Sequence, residues 1–167
     1  DLLIGAYSYG SAGRSYVVFG GAANLGALDA ADNSGVDGKI DLVQVANTGG
    51  TYGFHINGID SADQAGRSVR SADLNADGFD DLIIGAPRAD PASGSDNGET
   101  YVLFGSSTLG AGDGNVDLAT DLGGTGGYVF KGIDGGDRSG RAVNGAGDIN
   151  GDGIADLIIG SDIANGN

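Results

Sequence analysis

Two nine-residue stretches place oxygen side chains at positions 1, 3, 5 and 9. They are Asp73, Asn75, Asp77 and Asp81, then Asp148, Asn150, Asp152 and Asp156. Each has a glycine at position 6, Gly78 or Gly153, where the chain must turn sharply. Six to eight oxygen ligands from a tight, Gly-containing loop suit a hard cation, and calcium is the one such loops select. Three carboxylates within nine residues repel one another unless a cation screens them. An ordinary Asp-Asn-Gly turn is the bland alternative. An EF-hand is excluded, because Ile84 and Ile159 stand at position 12, where that loop needs Glu. The expected role is structural: a cation that ties a loop rather than one that activates water.

The apolar run after each loop explains what the loops connect. Asp81-Leu82-Ile83-Ile84-Gly85 returns as Asp156 to Gly160 and as Asp1-Leu2-Leu3-Ile4-Gly5, at spacings of 80 and 75 residues. Tyr16-Val17-Val18-Phe19-Gly20 returns as Tyr101-Val102-Leu103-Phe104-Gly105, and Gly58-Ile59-Asp60 as Gly132-Ile133-Asp134. One repeat therefore holds four runs of strand length. Run A covers Arg67 to Ala72 and Arg141 to Ala146. Run B covers Asp1 to Ala6, Asp81 to Ala86 and Asp156 to Ser161. Run C covers Ser15 to Gly20 and Tyr101 to Gly105. Run D covers Gly53 to Ile59 and Tyr128 to Ile133. B is nearly all apolar, as a strand covered on both faces should be, and D alternates more, like an outer strand. The C–D links, Gly21 to Tyr52 and Ser106 to Gly127, read as insertions or surface loops.

Composition agrees with an all-β chain. The 35 glycines, without a Gly-X-Y period, cluster with Asp, Asn and Ser between apolar runs, and Glu99 is the one Glu among 23 acidic residues. A net charge of -15 argues against nucleic acid or an anionic membrane as partner. It serves solubility, cation loops, or both. With no cysteine, neither disulfides nor a thiolate metal site is available. No apolar run approaches a membrane span of roughly 20 residues, and no signal peptide is visible. Asp1 falls inside a motif, so the true N-terminus is expected elsewhere.

Four antiparallel strands per repeat describe a propeller blade. The expected division is a partial blade (1–60, B-C-D with a long link at 21–52), a complete blade with its loop (61–134), and a partial blade (135–167, A-B with its loop). One blade cannot bury its faces alone. So the open ends are expected to meet further blades of the same chain or neighbouring subunits.

Asp73 to Pro87 followed by Tyr101 to Gly105 resembles the FG-GAP repeat, which builds the seven-bladed propeller of integrin α subunits and occurs in many large bacterial surface proteins. The wording is closer to the bacterial type. The third copy departs, with Gly160-Ser161-Asp162 in place of Gly-Ala-Pro, and the first has Gly5-Ala6-Tyr7. The resemblance implies calcium held by side chains at positions 1, 3, 5 and 9 and by the backbone carbonyl of position 7. That adds Phe79 and Ile154 to the ligand sets. It further implies an extracellular or cell-surface setting and a role in adhesion, surface or matrix scaffolding, with a protein or glycan partner.

Other chemistry is thinner. Asn33, Asp37 and Asp41 echo the loop, and Asp113 and Asp117 do so more faintly; surface turns are the better reading. Asp1 is a candidate ninth ligand of a site whose other half lies elsewhere. His55, the one histidine, reads as a strand surface residue, so no Ser-His-Asp set can be assembled. The pairs Asp60/Asp63 and Asp134/Asp137 recur per repeat and read as turns rather than glycosidase acids. Arg67 and Arg141 are expected to pair with a nearby Asp or pack their stems. The chain is therefore expected not to be an enzyme. Two other readings stand beside scaffolding: a self-assembling subunit of a filament or ring, and a non-catalytic domain of a secreted hydrolase.

Overall fold

A computed structural model describes residues 1–31, 36–90, 96–123 and 126–162. The first sheet is built from β1 (Leu2–Ala6), β2 (Arg14–Val18), β3 (Gly53–Asn57) and, last in its order, β7 (Asn115–Asp117). The second is the meander β4 (Ser68–Ala72), β5 (Asp81–Ala86), β6 (Glu99–Leu103) and β8 (Gly127–Lys131). The third has two strands, β9 (Ala142–Gly147) and β10 (Asp156–Gly160), with a bulge between Asp156 and Leu157. Consecutive strands pair antiparallel, in the A-B-C-D order read from the repeats. These are open sheets stacked as propeller blades, and no barrel closes among the described residues.

Register explains how they stack. Ile84, Tyr101 and Val129 lie in line across the second sheet, and Ile84 and Tyr101 face the first. Leu82, Ile84, Tyr101 and Leu103 bury with Val17, Phe54 and Ile56 in one continuous core between the first two sheets. On the opposite face Val143 donates its N–H to Ser68 Oγ at 3.1 Å, joining the inner strands of the second and third sheets. The glycine of the repeated Ile-Gly is where blades touch backbone to backbone. A Cβ on Gly5 would collide with the Gly66 carbonyl oxygen, and one on Gly85 with that of Gly140. No side chain fits there, so the repeat carries glycine.

Several expectations are corrected. Both C–D links hold secondary structure rather than loop alone. Gly21 to Tyr52 contains α1 (Ala22–Ala31) and α2 (Leu42–Asn47); Ser106 to Gly127 contains β7 and α3 (Leu118–Asp121). The Ala-rich run at 22–31 is intrinsically helix-forming. Asp41 caps α2 by accepting the Val43 N–H at 3.0 Å, and Asp117 caps α3 by accepting that of Ala119 at 2.8 Å. Leu28 and Val45 from these helices bury against Tyr16 and Val18 on the far face of the first sheet. Strand D does not alternate. β3 is almost wholly buried and β8 mostly exposed, because β3 has β7 and the second blade over it and β8 ends its sheet. Of the B strands only β5 is buried throughout; β1 and β10 are the outermost members of their described stacks.

Candidate metal centre

Each acidic loop links an A strand to a B strand, and the two share five bonds from backbone N–H to side-chain oxygen, the second adding one from Gly151 N to Asp148 Oδ1 at 2.6 Å. In the first, Asp73 accepts the N–H groups of Asp77 at 3.2 Å and Gly78 at 3.0 Å. Asn75 Oδ1 accepts from Asp77 N, and Asp77 Oδ1 from Phe79 N, both at 2.9 Å. Asp81 Oδ2 closes the loop by accepting from Leu74 N at 2.8 Å. In the second, Asp148 accepts from Asp152 at 3.1 Å and Gly153 at 2.8 Å. Asn150 accepts from Asp152 and Asp152 from Ile154 at 2.9 Å each, and Asp156 closes on Ile149 at 2.6 Å. Position 6 is left-handed in both, with φ +89° at Gly78 and Gly153; position 4 is too, with +59° at Ala76 and +81° at Gly151.

The electrostatics are one-sided. Asp81 is 0% exposed. Burial pushes its carboxyl above the usual carboxylate range, its bonds to the Gly105 and Leu74 amides oppose this, and the charges of Asp77 and Asp73 add to the rise. Asp148 is exposed, and the Gly153 amide foremost holds its carboxyl below the usual range. Among the described residues, no Lys or Arg forms an ion pair with either loop. Nor, among them, do three His, Asp or Glu side chains converge closely enough to hold a metal. The loop oxygens are directed at backbone N–H groups instead. As donors they are the right type, all carboxylate and amide oxygen. Asn75, Asp77, Asn150 and Asp152 are exposed and held only by bonds within their own loops, while Asp81 is buried and bonded beyond its loop to Gly105.

One function of these residues was not read from the sequence. Asp81 Oδ1 also accepts the Gly105 N–H at 2.9 Å, and Asp1 Oδ1 accepts the Gly20 N–H at 2.8 Å. The aspartate at the head of strand B thus holds the glycine of each Phe-Gly, and Asp81 fastens its loop to the end of strand C. The recurrence of Phe-Gly was the available signal. Phe79, at position 7, lines a cleft of about 530 Å³ with Phe19, Phe54 and Leu82 on the seam between the first two sheets.

A family model described as FG-GAP repeat matches residues 65–103. The chain carries an FG-GAP repeat. It is 33% identical to integrin alpha-PS2 of Drosophila melanogaster over 112 residues, 65% of this chain and 7% of that protein. It is also 33% identical to integrin alpha-6 of Gallus gallus over 100 residues, 60% of this chain and 8% of that one. The chain therefore spans less than a tenth of these relatives. The matched segment takes in β4, the first acidic loop, β5 and β6, which are the inner three strands of the complete blade.

The remaining candidates fall into structural roles around this FG-GAP framework. Asp63 Oδ2 accepts from Asp60 N at 3.3 Å and Asp137 Oδ2 from Asp134 N at 3.2 Å, so both pairs are turns. Asp37 and Asp113 accept the N–H two residues on, at 3.0 and 2.9 Å. With the caps at Asp41 and Asp117, this accounts for all four. Asn33 lies outside the described residues. Arg67 lies over the Tyr7 ring at 4.4 Å, and Arg141 pairs with Asp162 at 3.6 Å. His55 corrects its expectation. It is buried beside Tyr16, with Nδ1 unpartnered, and burial foremost lowers its pKa. Tyr16, Phe54 and Tyr101 lie in the core, whereas Tyr128, Phe130 and Phe79 are exposed.

Proposed function

We propose that this chain is a calcium-stabilised propeller segment with a non-catalytic role in adhesion, surface or matrix scaffolding outside the cell. Each repeat unit (1–60, 61–134 and 135–167) contributes one blade or part of one. Asp73, Asn75, Asp77, Asp81 and the Phe79 carbonyl hold one calcium ion. Asp148, Asn150, Asp152, Asp156 and the Ile154 carbonyl hold the other. The observation that carries the reading is Asp81, a wholly buried carboxylate facing Asp73 and Asp77 with no cationic side chain paired to the loop among the described residues. A buried charge among like charges is costly unless something neutralises it. Calcium does so and draws the exposed Asp77 and Asn75 inward. Likeness to integrin alpha chains supports the extracellular setting and a protein or glycan partner. Among the described residues, no helix is long and apolar enough to cross a membrane.

Calorimetric titration of chelator-treated protein tests this reading. Two calcium sites are expected, with Asp77→Ala and Asp152→Ala each removing one. No heat of binding in the unsubstituted chain refutes it.

The self-assembly reading keeps one supporting observation. Tyr128 and Phe130 are 63% and 43% exposed, yet their counterparts Phe54 and Ile56, covered by the next blade, are 3% and 1% exposed. Further protein belongs on that face, from further blades or another subunit. Sedimentation in calcium separates these: a monomer favours further blades, and a calcium-dependent polymer favours subunits.

A further inference from the structure

The link of the second blade does something the repeat pattern did not announce. Its short strand β7 leaves its own blade and pairs in parallel with β3, the outer strand of the preceding blade. The register is His55 with Asn115, Ile56 with Val116 and Asn57 with Asp117. Leu118 and Leu122 then bury in the seam between the two blades. This link is a clasp that one blade closes over the outer edge of its neighbour.

The link of the first blade is built the same way. Asp37-Gly38-Lys39-Ile40-Asp41-Leu42 matches Asp113-Gly114-Asn115-Val116-Asp117-Leu118. The local bonds also match. Asp37 and Asp113 each accept the N–H two residues on, and Gly38 and Gly114 are left-handed at +79° and +73°. Asp41 and Asp117 each cap the helix that follows. Val45 packs on the place a Cβ of Gly53 would occupy, as Leu122 does at Gly127. One difference stands out. Asn115 to Asp117 are paired as β7, whereas among the described residues no strand pairs with Lys39 to Asp41.

We propose that Lys39–Asp41 is a strand donor that adds in parallel to the outer strand D of a preceding blade of this same repeat type. The acceptor has a counterpart within the chain. β8 ends its sheet with an open outer edge among the described residues, and Val129, Phe130 and Lys131 occupy the places that His55, Ile56 and Asn57 hold in β3. The pairing is therefore specified: Lys39 opposite Val129, Ile40 opposite Phe130 and Asp41 opposite Lys131. Main-chain hydrogen bonds supply the attachment, as in other strand additions, and Ile40 and Leu42 supply the apolar contact. The inference rests on the blade arrangement and not on the calcium reading.

A tandem chain tests it. Joining residue 155 of one copy to residue 1 of a second keeps the repeat in phase, because Asp1 to Gly5 repeats Asp156 to Gly160. The second copy's first blade then follows the first copy's β9. The chain has no cysteine, so Val129→Cys in the first copy and Lys39→Cys in the second form a unique pair. A short bifunctional thiol reagent is expected to link them at least about tenfold more than a control pair with the second cysteine at Val43. Equal yields overturn the proposal. Should the cysteine variants fail to fold, amide exchange in the unsubstituted tandem reads the same contact. The second copy's amides at 39–41 are expected to exchange at least about tenfold more slowly than in the single chain. Unchanged rates overturn it.

Discussion

Replacing Asp63 with Asn is expected to stabilise the chain, and only at higher pH. Asp63 is buried at the turn that leads into the second blade, with Oδ2 accepting the Asp60 N–H. Burial foremost pushes its carboxyl from the ordinary 3.8 up to about 6; the Asp60 amide opposes this, and the charges of Asp60, Glu99 and Asp90 reinforce it. Glu99 is itself buried, bonded at 2.5 Å to the Tyr101 hydroxyl. Below pH 3.8 folded and unfolded chains both hold the proton on Asp63, and its ionisation costs nothing. As pH rises from there to about 6, the unfolded chain releases the proton while the folded chain keeps it, so stability falls. Above that the full penalty is present. A displacement of about two pH units at ~1.4 kcal/mol each gives ~3 kcal/mol as an upper limit, since solvent reaching the turn screens part of it. An asparagine side chain cannot ionise, and its carbonyl oxygen keeps the bond to Asp60. Urea unfolding of both proteins in fixed excess calcium should therefore show curves that coincide near pH 4. At pH 7 they should separate by up to ~3 kcal/mol in favour of the Asp63→Asn variant, or up to roughly 6–12 °C in Tm for a chain of this size. A difference that does not change with pH, or an Asp63→Asn variant less stable than the unsubstituted chain at pH 7, would refute the burial argument.

Other outcomes follow from contacts already described. Gly85→Ala drives a Cβ into the Gly140 carbonyl between the second and third blades and should cost about 3 kcal/mol or more by urea unfolding. Gly151→Ala, in open space at φ +81°, should cost only the left-handed strain of about 1–2 kcal/mol; comparable losses at the two sites would contradict the stacking contact. Leu28→Ala opens the small core under the helical link and should lose about 2–5 kcal/mol, whereas a change below ~0.5 kcal/mol would mean that α1 does not pack on the first sheet. Asp77→Ala should lower thermal stability in calcium and leave the chelated protein nearly unchanged, because a ligand bound only to the folded state stabilises it by mass action; equal losses in both conditions would mark Asp77 as a turn residue alone.

Much of this was legible because the repeats report their own geometry. Four apolar runs in fixed order announced strands A to D, and the A–B loops announced themselves by oxygen spacing. The strand ends moved by only a residue or two, as at Ser68 and Glu99. What stayed hidden depends on contacts between blades. His55 sits among apolar neighbours in a strand, and nothing local says that it is buried beside Tyr16, or that α1 and α2 fold over Tyr16 and Val18. The links are rich in Gly, Asp and Asn, which read as turns. Yet Asp113 uses that turn chemistry to launch a strand, and Asp41 and Asp117 use it to cap helices. β7 is three residues long and gains its partner from another blade, so no periodicity within it could have marked it. Asp1 and Asp81 read as ligands, while their bonds to Gly20 and Gly105 required the strands to be in place.

Thermal unfolding of the 167-residue chain in calcium and in chelator tests the central claim most directly. At calcium about 100 times its dissociation constant, each loop should add ~2.7 kcal/mol, so two loops add ~5 kcal/mol and raise Tm by roughly 10–20 °C. Magnesium, smaller and reluctant to give up water, should do far less. A Tm that is the same in calcium and chelator would contradict the account, because the buried Asp81 carboxylate and its acidic neighbours would then be stable without a cation.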